Sequence, residues 1–297
     1  MVVVVALGLT GCGGVGFGPG EEESGSASLE VTRDFGRDEV GSFEVTGLGP
    51  STTVLRALEA ELPIETSYGG GFVDGIDGIE SRGGDGPADW FFFVNGIEAE
   101  VGAADIELLP GDEVWWDYRE WGEVMYVGSV VGSYPAPLAG GYRDEQWPVE
   151  VVCRADRETC DLVGRELEDD GIEVGGASTK ETLEVVVGPW PAIRAEYDEL
   201  GGPPSRSGVF ATFGADGLGL LDPSGREVVE EVDRAGLVAS VGGAGEPPTW
   251  LVTGTDRSGV REAAALLEPE GLGRSYAVAA VDGESVRLPV ERPGGGG

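Results

Sequence analysis

The side chains here with the means to recognise or transform another molecule are tryptophans, carboxylates and cysteines. They are densest in residues 89–121, DWFFFVNGIEAEVGAADIELLPGDEVWWDYREW. Alternation along 114–118 puts Val114, Trp116 and Tyr118 on one face of a strand, and Trp115, Asp117 and Arg119 on the other. One face belongs to a core. Trp115, with Trp121 beyond it, falls on the polar face, where a large aromatic either packs or stacks on something flat. Packing is the commoner fate of tryptophan in small β-rich domains, and both readings stay open here.

The chain has no histidine. That removes Ser-His-Asp and Cys-His catalysis, histidine metal sites and the usual near-neutral general base, so the protein reads as a binder and not an enzyme, with no catalytic residue. Asp74, Asp77, Glu80 and Asp85 lack the spacing of a calcium loop, and no metal is expected. Gly11-Cys12-Gly13-Gly14-Val15-Gly16 fits G-x-G-x-x-G. A dinucleotide fingerprint must open a helix, however, and GFGPGEEESGSAS cannot be one.

Leu9-Thr10-Gly11-Cys12 ends an apolar run and resembles the lipobox of bacterial lipoproteins. The run is brief and has no Lys or Arg before it. It predicts a signal segment over residues 1–12, lipid on the Cys12 thiol, and a Gly-rich acidic tether over 13–27. The location implied is extracytoplasmic, with the chain anchored to the bacterial cell membrane by lipid. Export would leave Cys153 and Cys160 as an even pair, which suits a disulfide; two unpaired thiols are the alternative. With 55 acidic against 19 basic residues the net charge is −36, which repels phosphate backbones and excludes nucleic acid as a partner. The same acidity also suits adaptation to high salt, so it is weak evidence for a binding specificity.

Positioning these groups requires an α+β fold. Residues 28–33 and 42–46 alternate as a strand hairpin, and the helix opened by Pro50-Ser51-Thr52-Thr53 carries Val54, Leu55, Leu58 and Leu62 at helical spacing before Pro63. The aromatic strands 90–94 and 114–118 follow, bounded by Asn95-Gly96 and Pro110-Gly111-Asp112. One helix on a small mixed sheet is a β-grasp-like architecture, over residues 28–122.

In this region the chain resembles the carboxy-terminal domain of transcobalamin and intrinsic factor, and the bacterial lipoprotein modules that share it. The resemblance rests on a helix followed by SYGGGFVDGIDGI, then DWFFFVNG, the step from Gly102-Ala103 to Leu109, and PGDEVWWDY. It covers about a third of the chain and implies the fold more strongly than a ligand. The ligand it implies is a corrinoid such as cobalamin, not a resident cofactor. The α-helical barrel that covers the other face in the carriers has no counterpart here. Tyr68, Phe72, Trp90 and Trp115 are the ligand-binding positions to test under this resemblance.

Residues 123–148 mix apolar residues with Gly and Pro and read as a connector packed on a domain. Residues 149–297 then alternate strands and helices: strands at 149–153, 183–187, 209–213, 217–221, 249–253, 276–281 and 285–290, and helices at 157–169, near 192–200 and at 258–268. This predicts an α/β domain whose strand order is not readable. The loops Thr253–Gly259 and Pro189-Trp190-Pro191 follow strands, where such sheets bind ligands, although Thr255, Asp256 or Ser258 could simply cap a helix. The sequence therefore points to an envelope-anchored lipoprotein that binds a small molecule of corrinoid type. The alternative is a non-catalytic module that docks an envelope protein or polymer through a sheet edge or the Trp115/Trp121 surface.

Overall fold

The computed structural model describes residues 25–292 except 69, 85, 144, 176–180, 216 and 244. Cys12, most of the tether and Asp85 therefore lie outside the described residues. The fold is α+β, with a β-grasp-like first half followed by an α/β half.

Strands β1 (Ala27–Arg33) and β2 (Asp38–Val45) form an antiparallel pair, and helix α1 (Val54–Glu61) follows. Thr53 caps α1 by accepting a hydrogen bond from the Arg56 amide. The chain continues through β3 (Ile64–Ser67), β4 (Phe72–Ile76), β5 (Ile79–Glu80), β6 (Ala88–Val94), β7 (Ile97–Glu98) and β8 (Glu113–Glu120). β3, β4 and β5 make a small sheet of their own, while the main sheet has the order β2-β1-β8-β6-β7. β1 and β8 are parallel in it, and β8 and β6 are antiparallel. Two-residue turns close the tight hairpins. Asp77-Gly78 joins β4 to β5 and Asn95-Gly96 joins β6 to β7, both residues of each having positive φ, as a turn matching strand twist requires.

One face of the main sheet, with Leu29, Val31, Val94, Val114 and Trp116, packs on Val54, Ala57 and Leu58 of α1. The opposite face is equally covered. Phe93 and Trp115 share a cluster with Phe35 and with Phe210 and Tyr276 of the second half. This corrects the sequence expectation that one face of β8 meets solvent. Trp115 is 3 % exposed, Asp117 0 % and Arg119 1 %.

The connector forms the wedge between the halves. Val124, Val127, Val130 and Val131 are buried, and the Val130 amide donates to the Gly96 carbonyl while the Val131 amide donates to that of Tyr276. Helix α2 (Ala136–Gly140) ends it.

The second half comprises β9 (Val149–Cys153), α3 (Arg157–Asp169), β10 (Leu183–Pro189), the short helices α4 (Trp190–Ile193) and α5 (Pro204–Ser207), then β11 (Ala211–Phe213), β12 (Leu218–Leu221), β13 (Val228–Val232), β14 (Gly236–Val241) and β15 (Thr249–Gly254). α6 (Arg257–Ala264), α7 (Pro269–Leu272), β16 (Ala277–Val281) and β17 (Glu284–Leu288) complete it. Its main sheet runs β17-β16-β14-β15-β10-β9, with β9, β10 and β15 parallel. Side chains alternate across two covered faces. Val185, Val187, Trp250 and Val252 meet α3 and α6, whereas Val186, Leu237 and Leu251 meet the interface cluster.

Two features differ from the sequence reading. The central strand β14, GLVASV, has all six residues buried and was not foreseen from its lack of alternation. No continuous helix spans 192–200: α4 is one turn, and a 3-10 turn at Asp198–Gly201 follows it. The strands expected at 209–213 and 217–221 are present as the antiparallel pair β11 and β12, which with β13 form a sheet separate from the main one.

Candidate functional site

The acidic and aromatic residues converge on a cleft of about 360 Å³ in the first half. Its position follows from a mismatch of strand lengths. β7 pairs with β6 only at Phe93 and Val94, so the edge of β6 away from β8 borders the opening from Asp89 to Phe91. Trp90, Phe92 and Trp116 form the floor, with Phe92 and Trp116 stacked at 4.5 Å and 20°. Gly70, Gly71, Phe72 and Val73 of the β3–β4 hairpin make one rim, residues 98–103 another, and Trp121 and Met125 the third.

The walls are held by specific hydrogen bonds. Trp90 Nε1 donates to the Ile79 carbonyl (2.9 Å), and Trp121 Nε1 donates to Asp89 Oδ2 (2.7 Å). Both indoles are thereby fixed, which lowers the entropy a ligand would lose in ordering them. Phe72, Val101 and Met125 remain 42 %, 41 % and 55 % exposed, so three of the large hydrophobic side chains that stay exposed among the described residues meet at this one cleft. Exposed apolar surface gathered in a concavity is unfavourable for an isolated chain and marks a binding site better than single surface residues do.

Glu98 sits at the edge of this apolar lining. It is 8 % exposed, and its Oε2 accepts from the Val127 amide (2.7 Å). Burial raises its pKa to about 7 against the bond from Val127 and the charge of Arg119, both of which lower it. A carboxyl that ionises near 4.5 when unfolded and about 7 when folded binds its proton more tightly in the fold. Its stabilising contribution is thus full below pH 4.5 and is lost as pH rises through 7. Thermal unfolding should show stability falling between pH 5 and 8 by on the order of 2–3 kcal/mol from this group. The overall negative charge acts in the same direction, so Glu98→Gln is the deciding control and should flatten that part of the profile; an unchanged slope would refute the assignment.

The four ligand-binding candidates separate in space. Phe72 and Trp90 line the cleft, Trp90 as a nearly buried wall. Tyr68 is 93 % exposed, at positive φ on the turn before the hairpin rim. Trp115 is removed from the set: its indole lies between Phe93 and Tyr276 and donates to Thr32 Oγ1 (2.7 Å), out of reach of a ligand. Reasoning from sequence missed Phe92, Glu98, Val101, Trp116 and Met125. The signal available was that Trp90, Phe92 and Trp116 share a strand face beside the Asn95-Gly96 turn.

Elsewhere, Cys153 and Cys160 are joined in a disulfide that ties the end of β9 to the first turn of α3. Asp256 caps α6 through the amides of Ser258 and Gly259, and Thr255 Oγ1 accepts from the Ala235 amide. Trp190 is stacked on Phe213 at 4.7 Å. Among the described residues no group of three His, Cys, Asp or Glu could hold a metal ion, and no helix is long and apolar enough to cross a membrane.

Residues 51–120 match a family described as a domain of unknown function, DUF4430. The DUF4430 region runs from the cap of α1 to the end of β8 and so contains the floor of the cleft and most of its rim. Two solved structures are similar over 32 % of this chain. One, from Ruminococcus gnavus and described as a candidate metal binding protein, is 14 % identical with a TM-score of 0.26 and is covered over 97 % of its length. The other, haptocorrin in complex with Cbi, is 16 % identical with a TM-score of 0.27; the chain spans 25 % of its length. No curated protein matches the chain.

Proposed function

We propose that this protein is a non-catalytic, small-molecule-binding lipoprotein, held outside the cytoplasmic membrane by lipid on Cys12, whose ligand enters the cleft of the DUF4430 region. The observation that carries the reading is the convergence of exposed Phe72, Val101 and Met125 over the stacked pair Phe92 and Trp116. Flat apolar ligands gain most from such a floor. A corrinoid is the ligand favoured by the transcobalamin-like motifs, with the cleft taking one edge or side arm of it.

The test is calorimetric titration of the 297-residue chain with cobalamin and related corrinoids. One-to-one binding is expected, weakened at least about five-fold in Phe72→Ala, whose half-exposed ring should change stability by less than about 1 kcal/mol. Absence of binding across the series would exclude the corrinoid.

The second reading, a module that docks an envelope protein or polymer, draws on the outer edge of β6 at Asp89–Phe91, which could accept an extended strand. Binding of corrinoids unaffected by Phe72→Ala would count against the cleft as their site.

A further inference from the structure

The geometry points to an organic cation as the class of ligand for the cleft: a quaternary or protonated amine carried on a flat apolar body. This rests on the proposal that the cleft is the binding site, and not on the corrinoid as its occupant.

Three carboxylates line the cleft, Asp89, Glu98 and Glu100, and among the described residues no lysine or arginine does. They differ in what already holds them. Asp89 receives the Trp121 indole N–H and so places that ring in the wall. Glu98 is more than nine-tenths buried, yet the Val127 amide engages only Oε2, and its other oxygen has no hydrogen-bond partner among the described residues. That oxygen is not sealed in protein but open to the cleft, where a largely buried carboxylate favours an occupant of opposite charge. Arg119 acts on Glu98 only through space, because its guanidinium donates to the carbonyls of Val124 and Met125 and lies over the Phe91 ring. A ligand cation would supply the missing charge.

The aromatic lining suits the same guest. An ammonium bound over a ring face is attracted by its quadrupole, and the attraction grows as water is excluded. Trp90, Phe92, Trp116 and Trp121 offer indole and phenyl surface around the cleft, and a guest seated there would itself displace water from them. An anion would meet three carboxylates there, and a neutral ligand would leave Glu98 as it is.

The experiment uses three probes on one scaffold: (2-naphthylmethyl)trimethylammonium, its neutral carbon isostere 2-neopentylnaphthalene, and 2-naphthalenesulfonate. Each is titrated into the 297-residue chain at low and high salt while the tryptophan indole N–H resonances are followed by NMR. The ammonium is expected to bind at least about ten-fold more tightly than the isostere, shifting the Trp121 indole signal, with the sulfonate weakest. Glu98→Gln should remove most of that preference, weakening the ammonium far more than the isostere. Equal affinity for ammonium and isostere, each shifting Trp121, would overturn the cation assignment and leave the cleft standing as the site. No shift of Trp121 with any of the three would overturn both.

Discussion

Replacing Trp115 by alanine is expected to destabilise the protein by about 3–5 kcal/mol. The ring is the centre of a cluster built from both halves, with Phe93 at 5.6 Å and Tyr276 at 5.5 Å. Tyr276 in turn meets Phe35 at 5.2 Å and Phe210 at 6.2 Å. Backbone closes around the indole as well: a Cβ added at Gly36 or at Gly132 would come within 2.9 Å of it. Rigid walls of this kind collapse little, so truncation leaves a cavity instead of a repacked core. Thr32 Oγ1 also loses the donor at 2.7 Å. Thermal unfolding should show a fall of roughly 10 °C. A change under about 1 kcal/mol would mean that the two halves are not packed as described. Trp121, half-buried on the cleft rim, should cost far less when truncated, and the contrast separates the interface tryptophan from the one on the cleft rim.

That contrast was hidden in the sequence, and the reason is physical. Alternation assigns residues to faces correctly: Val114 and Trp116 do oppose Trp115, Asp117 and Arg119. It does not say what covers a face. Asp117 and Arg119 look like solvent markers, yet Asp117 is bonded by Thr32 Oγ1 (2.7 Å), the Gly36 amide (3.0 Å) and Tyr276 Oη (2.9 Å), partners 81 to 159 residues away in sequence. Paired polar groups can be buried, and pairing over such separations leaves no local trace. Two consecutive tryptophans were the available clue, since adjacent strand residues point to opposite faces and both rings need cover.

Other features were legible because their causes are local. The fold of the first half followed from the apolar spacing of α1, its Thr53 cap and the Asn95-Gly96 turn. β14 was not, because a strand buried on both faces loses its alternation and GLVASV between glycines and charges reads as a loop. The cleft was half legible. Phe72 and Trp90 were identified through family resemblance, but Glu98, Val101 and Met125 reach the cleft from segments whose only common property is to surround the point where β7 stops.

Arg119→Ala is expected to cost about 3–4 kcal/mol and, unlike Trp115→Ala, to act directly on the cleft. The guanidinium is 3.9 Å from the Phe91 ring centroid, and Phe91 lines the cleft. Its other end donates to the carbonyls of Val124 (2.8 Å) and Met125 (3.0 Å), and Met125 is the cleft's third rim. One side chain thus fixes a wall and a rim to the interface between the halves. Its Nε has no partner, a cost the fold already carries. Removing the guanidinium would leave two carbonyls without a donor, and would take away the positive charge that favours ionised Asp117 and Glu98. Both carboxyls should then hold their protons more tightly, extending the decline in stability with pH to higher pH than in the native chain. Arg119→Lys should recover less than half of the loss, since an ammonium cannot serve two carbonyls and stack on Phe91 together. Denaturant unfolding of the three chains at pH 5.5 and 8 measures all of this at once. Full rescue by lysine would show that charge alone is needed there, and that neither Met125 nor Phe91 depends on Arg119 for its place in the cleft.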